Sequence, residues 1–108
     1  MTCMMVGLAA NDGDLLFPEI IDFIESALRV DDAIYRMTRE RAVLLLADVE
    51  RPVAEEIVRR NFLGFRERFS TASEPAISLG FFEMSPRTLE ATVKDVLPQL
   101  FSPEPGAH

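Results

Sequence analysis

The sequence contains little cysteine, little histidine and few basic side chains. Its one cysteine, Cys3, excludes a disulfide within the chain, and with His108 as the one histidine no Cys/His set for structural zinc exists. Lys and Arg number 11 against 18 Asp and Glu, a net charge of −7. Because nucleic-acid phosphates attract clustered positive charge, RNA and DNA are not expected as partners. A reduced, cytoplasmic setting is expected.

Long hydrophobic runs are also absent. No apolar stretch approaches the roughly 18 residues that a membrane span needs, and the first residues lack a basic segment followed by an apolar one. We therefore expect no membrane partner. With 108 residues, of which 48% are hydrophobic, the chain has enough apolar surface for a single core. We expect one domain over residues 1–101 and a disordered tail, containing proline and glycine, over residues 102–108.

Four short apolar segments predict strands. They lie at residues 4–10, 33–37, 41–47 and 76–82. The second and third are separated only by the polar Thr38-Arg39-Glu40, so they predict a β-hairpin.

Apolar residues spaced by three and four predict two amphipathic helices, one that starts at Phe17 and one that starts at Pro52. Proline is compatible with the first turn of each helix. The inner face of the second helix is predicted to carry Ala54, Ile57, Val58, Phe62, Phe65 and Phe69. Ser85-Pro86 predicts the start of a C-terminal helix with Leu89, Val93 and Val96 on its apolar side.

The order strand, helix, strand, strand, helix, strand predicts an α/β domain of the α+β class. It is the split βαββαβ arrangement of ferredoxin-like folds, in which helices cover one face of a four-stranded antiparallel sheet. This architecture carries many unrelated functions, so the function must be argued from individual residues.

One stretch of residues resembles the diguanylate cyclase (GGDEF) family. Arg29 and Asp32 form an Arg-x-x-Asp motif, five residues follow, and Thr38-Arg39-Glu40-Arg41-Ala42 stands where that family has Gly-Gly-Asp/Glu-Glu-Phe. The similarity continues without gaps to Ala-Ile-Ser-Leu-Gly at residues 76–80, and Gly13-Asp14 resembles the family's Gly-Asp-x-x-Leu helix start. The resemblance spans residues 4–82 and implies a nucleotide-cyclase-like sandwich.

The same resemblance implies that catalysis is lost. Active members need two turn glycines close to the nucleotide and carboxylates that hold Mg²⁺. Here Thr38 and Arg39 replace the glycines, and Arg41 puts a permanent positive charge in place of a metal-binding glutamate. Glu40 leaves only one carboxylate in the signature, and the first strand ends in Leu-Ala-Ala-Asn where the family has Asp-x-Asp-x-Phe-Lys. We expect no enzyme activity, metal or cofactor, and we interpret Asp14 as a helix cap.

A ligand site of the family has counterparts in this sequence. In many members the Arg-x-x-Asp motif binds cyclic di-GMP as a feedback inhibitor, together with an arginine of the following helix. The resemblance thus implies that Arg29, Asp32 and Arg60 bind cyclic di-GMP. The alternative is structural: Arg29 near a helix C-terminus pairs with Asp32 at the surface, and Arg60 belongs to a solvated helix face.

These observations predict a non-catalytic GGDEF-like regulatory domain of bacterial signalling, with cyclic di-GMP as its ligand. The alternative is a nucleotide-independent module that binds a protein partner or forms a homodimer. A further alternative is residual GTP binding without turnover.

Overall fold

The computed structural model describes residues 3–69, 76–84, 98, 100 and 101. Its elements are β1 (Cys3–Ala10), α1 (Phe17–Ser26), β2 (Ala33–Thr38), β3 (Arg41–Ala47), α2 (Arg51–Phe69) and β4 (Ile77–Met84). Each predicted strand is present with ends within two residues of the prediction, and both predicted helices are present. Pro98, Leu100 and Phe101 have helical conformation. The predicted C-terminal helix with Leu89, Val93 and Val96, and the predicted tail at 102–108, lie outside the described residues.

The four strands form one sheet in the order β2-β3-β1-β4. All neighbouring strands run antiparallel. Each of the connections through α1 and α2 therefore joins strands that have one antiparallel strand between them, which is the ferredoxin-like arrangement. The α+β fold predicted from the sequence is confirmed.

The main core lies between one face of the sheet and the two long helices. Alternate residues of β1 and β3 point to this face, as the two-residue period of a strand requires. They pack against apolar side chains spaced by three and four along α1 and α2. The residues buried there include Met4, Val6, Leu8, Leu44 and Leu46 from the strands, Phe17, Ile20, Ile21 and Ile24 from α1, and Ala54, Val58 and Phe65 from α2.

The other face of the sheet carries a second, smaller apolar cluster. Leu100 is buried against Met5 and Val43, and Phe101 packs beside them. Thus α1 and α2 cover one face as predicted, whereas Leu100 and Phe101 lie on the opposite face. Gly7 and Gly80 are paired across β1 and β4, and a β-carbon on Gly7 would lie 2.8 Å from the Leu100 β-carbon. The two glycines make room for this close approach.

The prediction for the inner face of α2 is wrong at its last position. Ala54, Val58 and Phe65 are buried, but Phe69 is 48% exposed. Phe69 lies at the end of the helix, where its ring contacts the rings of Phe23 and Phe65 instead of the sheet. No helix within the described residues is apolar over a length that would cross a bilayer.

Candidate ligand-binding groove

The Arg-x-x-Asp motif forms the turn between α1 and β2. The Asp32 amide donates to the Arg29 carbonyl over 3.0 Å, which closes the turn. The two side chains meet in a bidentate ion pair, with 2.8 Å from Arg29 Nε to Asp32 Oδ2 and 2.8 Å from Nη2 to Oδ1. Two parallel, charge-assisted hydrogen bonds fix the plane of the guanidinium.

Both side chains also bind the backbone at the end of β3. Arg29 Nη2 donates to the Ala47 carbonyl over 2.7 Å, and the Ala47 amide donates to Asp32 Oδ1 over 3.0 Å. The Arg29 amide adds a third backbone contact, to Asp32 Oδ2 at 3.1 Å. The Asp32 side chain is 3% exposed and that of Arg29 is 55% exposed. The pair therefore joins the α1–β2 turn to β3, with the carboxylate inside and the guanidinium partly in solvent.

These contacts determine the charge of Asp32. Burial by itself raises the pKa of the Asp32 carboxyl, but hydrogen bonds from Arg29 and from the Ala47 amide outweigh burial, so that the pKa lies below its ordinary value. The same ion pair raises the pKa of Arg29. Both groups are charged at neutral pH.

The three residues predicted to bind a ligand line one groove. It has a volume of about 390 Å³ and runs between the end of α1, the Arg29–Asp32 turn and α2, from which Arg60 contributes its side chain. Ligand pockets begin at about 300 Å³. The Arg60 side chain is 72% exposed, and its Nε lies 3.8 Å from Glu56 Oε1, beyond hydrogen-bond distance. Its guanidinium is thus available to a ligand.

The neighbouring Arg59 has a different environment. It forms a bidentate pair with Glu56 through Nε at 2.9 Å and Nη2 at 2.5 Å, and it lines a separate groove between α2 and β4. This hydrogen-bonded pairing raises the pKa of Arg59 and lowers that of Glu56. Adjacent arginines on one helix therefore serve different surfaces.

Sequence reasoning missed one polar side chain of the groove. Asn61 lines it beside Arg60, and its Nδ2 donates to the Ile57 carbonyl over 2.8 Å. In the sequence, an asparagine here is typical of a polar helix face. The one sequence feature that could have indicated Asn61 is that it follows Arg60, the arginine to which the family resemblance assigns a ligand role.

The degenerate signature lies at the other end of β3. Thr38 and Arg41 are opposite each other across the β2–β3 hairpin. At the turn, the Glu40 carbonyl accepts a hydrogen bond from the Ala10 amide at the end of β1 over 2.8 Å. The Arg41 guanidinium lies 5.4 Å from the centre of the Phe101 ring, a cation–π distance, and Ala42 is buried. Because β3 rises about 3.3 Å per residue, the hairpin is roughly 20 Å from the groove at Ala47. The structure therefore keeps the signature apart from the three groove residues.

The N-cap position predicted for Asp14 is wrong, because the N-cap residue of α1 is Leu16, which has no side-chain cap hydrogen bond. Asp14 lies two residues earlier, and its Oδ1 accepts from the Leu16 amide at 2.8 Å and from the Phe17 amide at 3.1 Å. Within residues 3–69, 76–84, 98, 100 and 101, no three Asp, Glu, His or Cys side chains come together as a metal site would require.

Comparison with known proteins gives a match in structure only. No protein-family model matches the sequence, and no curated protein matches it. The chain is similar in structure to PelD 156-455 from Pseudomonas aeruginosa PA14 in its apo form, with a TM-score of 0.60 and 17% sequence identity. The match covers 79% of this chain and 32% of the PelD chain. This chain thus corresponds to about a third of that structure, and the likeness concerns the fold.

Proposed function

We propose that this chain is a non-catalytic GGDEF-like regulatory domain that binds cyclic di-GMP in the groove lined by Arg29, Asp32 and Arg60. The observation that carries the proposal is that these residues, from a turn and from a separate helix, share one groove of about 390 Å³. The ferredoxin-like sheet and the structural likeness to PelD support the GGDEF-like fold on which the residue assignment rests.

The charge of the groove suits a cyclic dinucleotide. Such a ligand carries two phosphodiester anions, and guanidinium groups bind phosphate through several directed N–H donors. Arg29 is held rigidly by Asp32, so less side-chain entropy is lost when it binds. Its Nη1 donates no hydrogen bond to any residue that the structure describes. Arg29 and Arg60 would each supply N–H donors to a phosphate, and with Asp32 the charged side chains that line the groove sum to +1.

Loss of the cyclase reaction follows from the signature residues. Arg41 stands where the resemblance has a metal-binding glutamate, and its guanidinium packs on Phe101. A fixed cation at that point repels Mg²⁺, which the condensation of two GTP molecules needs. We therefore expect incubation with GTP and Mg²⁺ to give no cyclic di-GMP, as measured by chromatography of the products.

Calorimetric titration with cyclic di-GMP tests the binding site. Arg60→Ala is expected to weaken binding roughly tenfold, since a charge-assisted hydrogen bond contributes about 1.5 kcal/mol or more. Arg59→Ala is the matched control, because it removes the same side chain from the next residue but lies on another groove. We expect it to change the affinity less than twofold. No binding by the wild-type protein, or equal losses in the two variants, would refute the proposed site.

A second candidate function is binding of a protein partner or of a second copy. The groove between α2 and β4 has a volume of about 380 Å³ and is lined by apolar side chains that include Phe62, Leu63, Leu79 and Phe81. Among the described strands β4 has one unpaired edge, and Leu79 is 38% exposed. Such surfaces bind other chains. Light scattering with and without cyclic di-GMP tests this function, and a monomer at high protein concentration contradicts the homodimer.

A further inference from the structure

The two edges of the sheet differ in how they are protected against pairing with another strand. Edge strands of native proteins commonly carry a bulge, a proline or a charged side chain. At the β2 edge the register shifts between Arg36 and Thr38. The Arg36 guanidinium also binds Asp22 and Glu25 of α1, at 2.6 and 3.1 Å. The β2 edge is therefore irregular and charged.

The β4 edge lacks these features over the residues that the structure describes. Its eight residues, Ile77–Met84, pair with β1 without a shift of register. Their sequence, ISLGFFEM, contains no proline and no basic residue, and Glu83 is its one charged residue. Among the described strands, β1 alone is hydrogen-bonded to β4. Such a long, regular and apolar edge is suited to pairing with a further strand.

The groove between α2 and β4 runs along this edge. Leu79 and Phe81 point to the side of the sheet that carries α2, because their partners in β1 are the core residues Leu8 and Val6. Leu79 is 38% exposed there, and Leu63 of α2 is 41% exposed. An added strand would leave the Leu63 side of the groove open. A partner that fits must bring apolar surface to α2 as well as a strand to β4.

A second copy of this chain brings both. Neighbouring strands lie about 4.8 Å apart, and α2 packs over β1 and beside β4. The axis of α2 is therefore about one strand spacing from a new strand junction at β4. If β4 pairs with the β4 of a second copy, the two α2 helices lie about 10 Å apart, which is the usual distance between packed helices. Each groove is then filled by side chains of the other copy's helix.

The charges along α2 are complementary to those of a second copy in the antiparallel direction. The groove side of the helix begins with Glu55, which is 53% exposed, and ends with Arg66. A twofold axis through the middle of this segment places Glu55 of each copy opposite Arg66 of the other.

The strand side of the groove is compatible with the same axis. Leu79 and Phe81 line the groove, and Gly80 lies midway between them. A twofold axis at Gly80 places Leu79 of each copy opposite Phe81 of the other, an apolar cross-strand pair. One axis thus satisfies both the strand and the helix, as a closed twofold interface requires.

We propose that two copies of this chain associate through their β4 edges about a twofold axis at Gly80. The dimer has one eight-stranded sheet, with the two α2 helices packed antiparallel across the junction. This inference rests on the second candidate function, which it restricts to a second copy and to one interface, and it does not depend on cyclic di-GMP. The groove lined by Arg29, Asp32 and Arg60 lies between α1 and α2, so the dimer leaves it accessible.

Sedimentation equilibrium of the ligand-free protein tests the interface. The wild-type protein is expected to dimerise as its concentration rises. Leu79→Lys should raise the dimer dissociation constant roughly tenfold or more, because it buries an unpaired ammonium beside the axis. Met37→Lys is the matched control, since Met37 is 45% exposed on β2 at the other edge, and we expect a change of less than twofold. Circular dichroism confirms the fold of each variant.

Charge reversal distinguishes a second copy from any other partner. Glu55→Arg alone is expected to weaken the dimer roughly threefold, because like charges then face each other across the axis. Mixing it with Arg66→Glu should restore wild-type affinity, since both pairs across the axis again have opposite charges. If Arg66→Glu does not fold, the comparison of Leu79→Lys with Met37→Lys still decides.

Two results overturn the inference: a wild-type protein that stays monomeric, or a dimer that Leu79→Lys and Met37→Lys weaken equally. A dimer that Leu79→Lys weakens but that charge reversal leaves unchanged overturns the twofold arrangement of α2. Calorimetric titration of Leu79→Lys with cyclic di-GMP separates this inference from the main proposed function. Cyclic di-GMP binding by a wild-type monomer supports the ligand site and refutes the dimer, whereas a dimer that binds no dinucleotide does the reverse.

Discussion

Replacement of Gly80 by alanine tests how closely Leu100 packs on the sheet. A β-carbon on Gly80 would lie 2.9 Å from the carbonyl carbon and 3.0 Å from the α-carbon of Leu100, and nearer still to the carbonyl oxygen. Favourable carbon–carbon contacts begin at about 3.5 Å, so the backbone at Leu100 must move. Overpacking of this kind costs roughly 1–3 kcal/mol. Alanine recovers about 0.5–1 kcal/mol of that through its lower backbone entropy in the unfolded chain.

The net expectation for Gly80→Ala is a loss of about 1–2 kcal/mol in the free energy of unfolding. Urea denaturation followed by circular dichroism measures it. With a slope of about 1–3 kcal/mol per molar urea, the midpoint should fall by roughly 0.5–1 M. Ser78→Ala is the control, since Ser78 lies on the same side of β4 and is exposed. The packing argument is refuted if the two variants have the same midpoint and amide exchange at Leu100 stays at the wild-type rate.

Two further predictions concern Asp32 and Asp48. Asp32→Asn should lower the free energy of unfolding by about 2 kcal/mol, in the range for hydrogen bonds to a charged group. The pKa of Asp32 in the folded protein lies below its ordinary value. The stability that the Asp32 carboxylate gives to the fold is therefore complete above about pH 4 and is lost as the pH falls through the folded pKa. The urea midpoints of wild type and variant, measured from pH 7 to pH 2, should converge at low pH. Asp48 has φ of 55°, so Asp48→Ala should destabilise by about 1 kcal/mol in the same assay while Asp48→Gly stays within about 0.5 kcal/mol. Equal midpoints for these two variants would contradict the conformational argument.

The pattern of apolar residues was sufficient to predict the fold. Strands at residues 33–37 and 41–47 were predicted within one residue, because two short apolar segments separated by a polar turn are typical of a β-hairpin. The position of Leu100 was not predictable in this way. The position of Leu100 depends on the pairing of Gly7 with Gly80 across β1 and β4. Because these strands are far apart in the sequence, their register cannot be predicted from a local pattern of residues.

The groove was predictable in its charged residues and not in its backbone contacts. The motif resemblance identified Arg29, Asp32 and Arg60, and all three line the groove. Arg29 and Asp32 also bind the carbonyl and the amide of Ala47. These two contacts could not be predicted from the sequence, because almost every residue has both backbone groups.

The charged residues of the groove differ in whether fold stability alone explains them. Two hydrogen bonds, of 2.7 and 3.0 Å, join Arg29 and Asp32 to the backbone of Ala47, and three more of 2.8–3.1 Å join Arg29 to Asp32. Fold stability alone therefore explains this pair, with or without a ligand. Arg60 has no such explanation: its side chain is 72% exposed, and Glu56, its ion-pair partner, is bound more closely by Arg59. A test on Arg29 or Asp32 therefore mixes stability with binding. The comparison of Arg60→Ala with Arg59→Ala separates the two, and it is the measurement on which a ligand role for this groove depends.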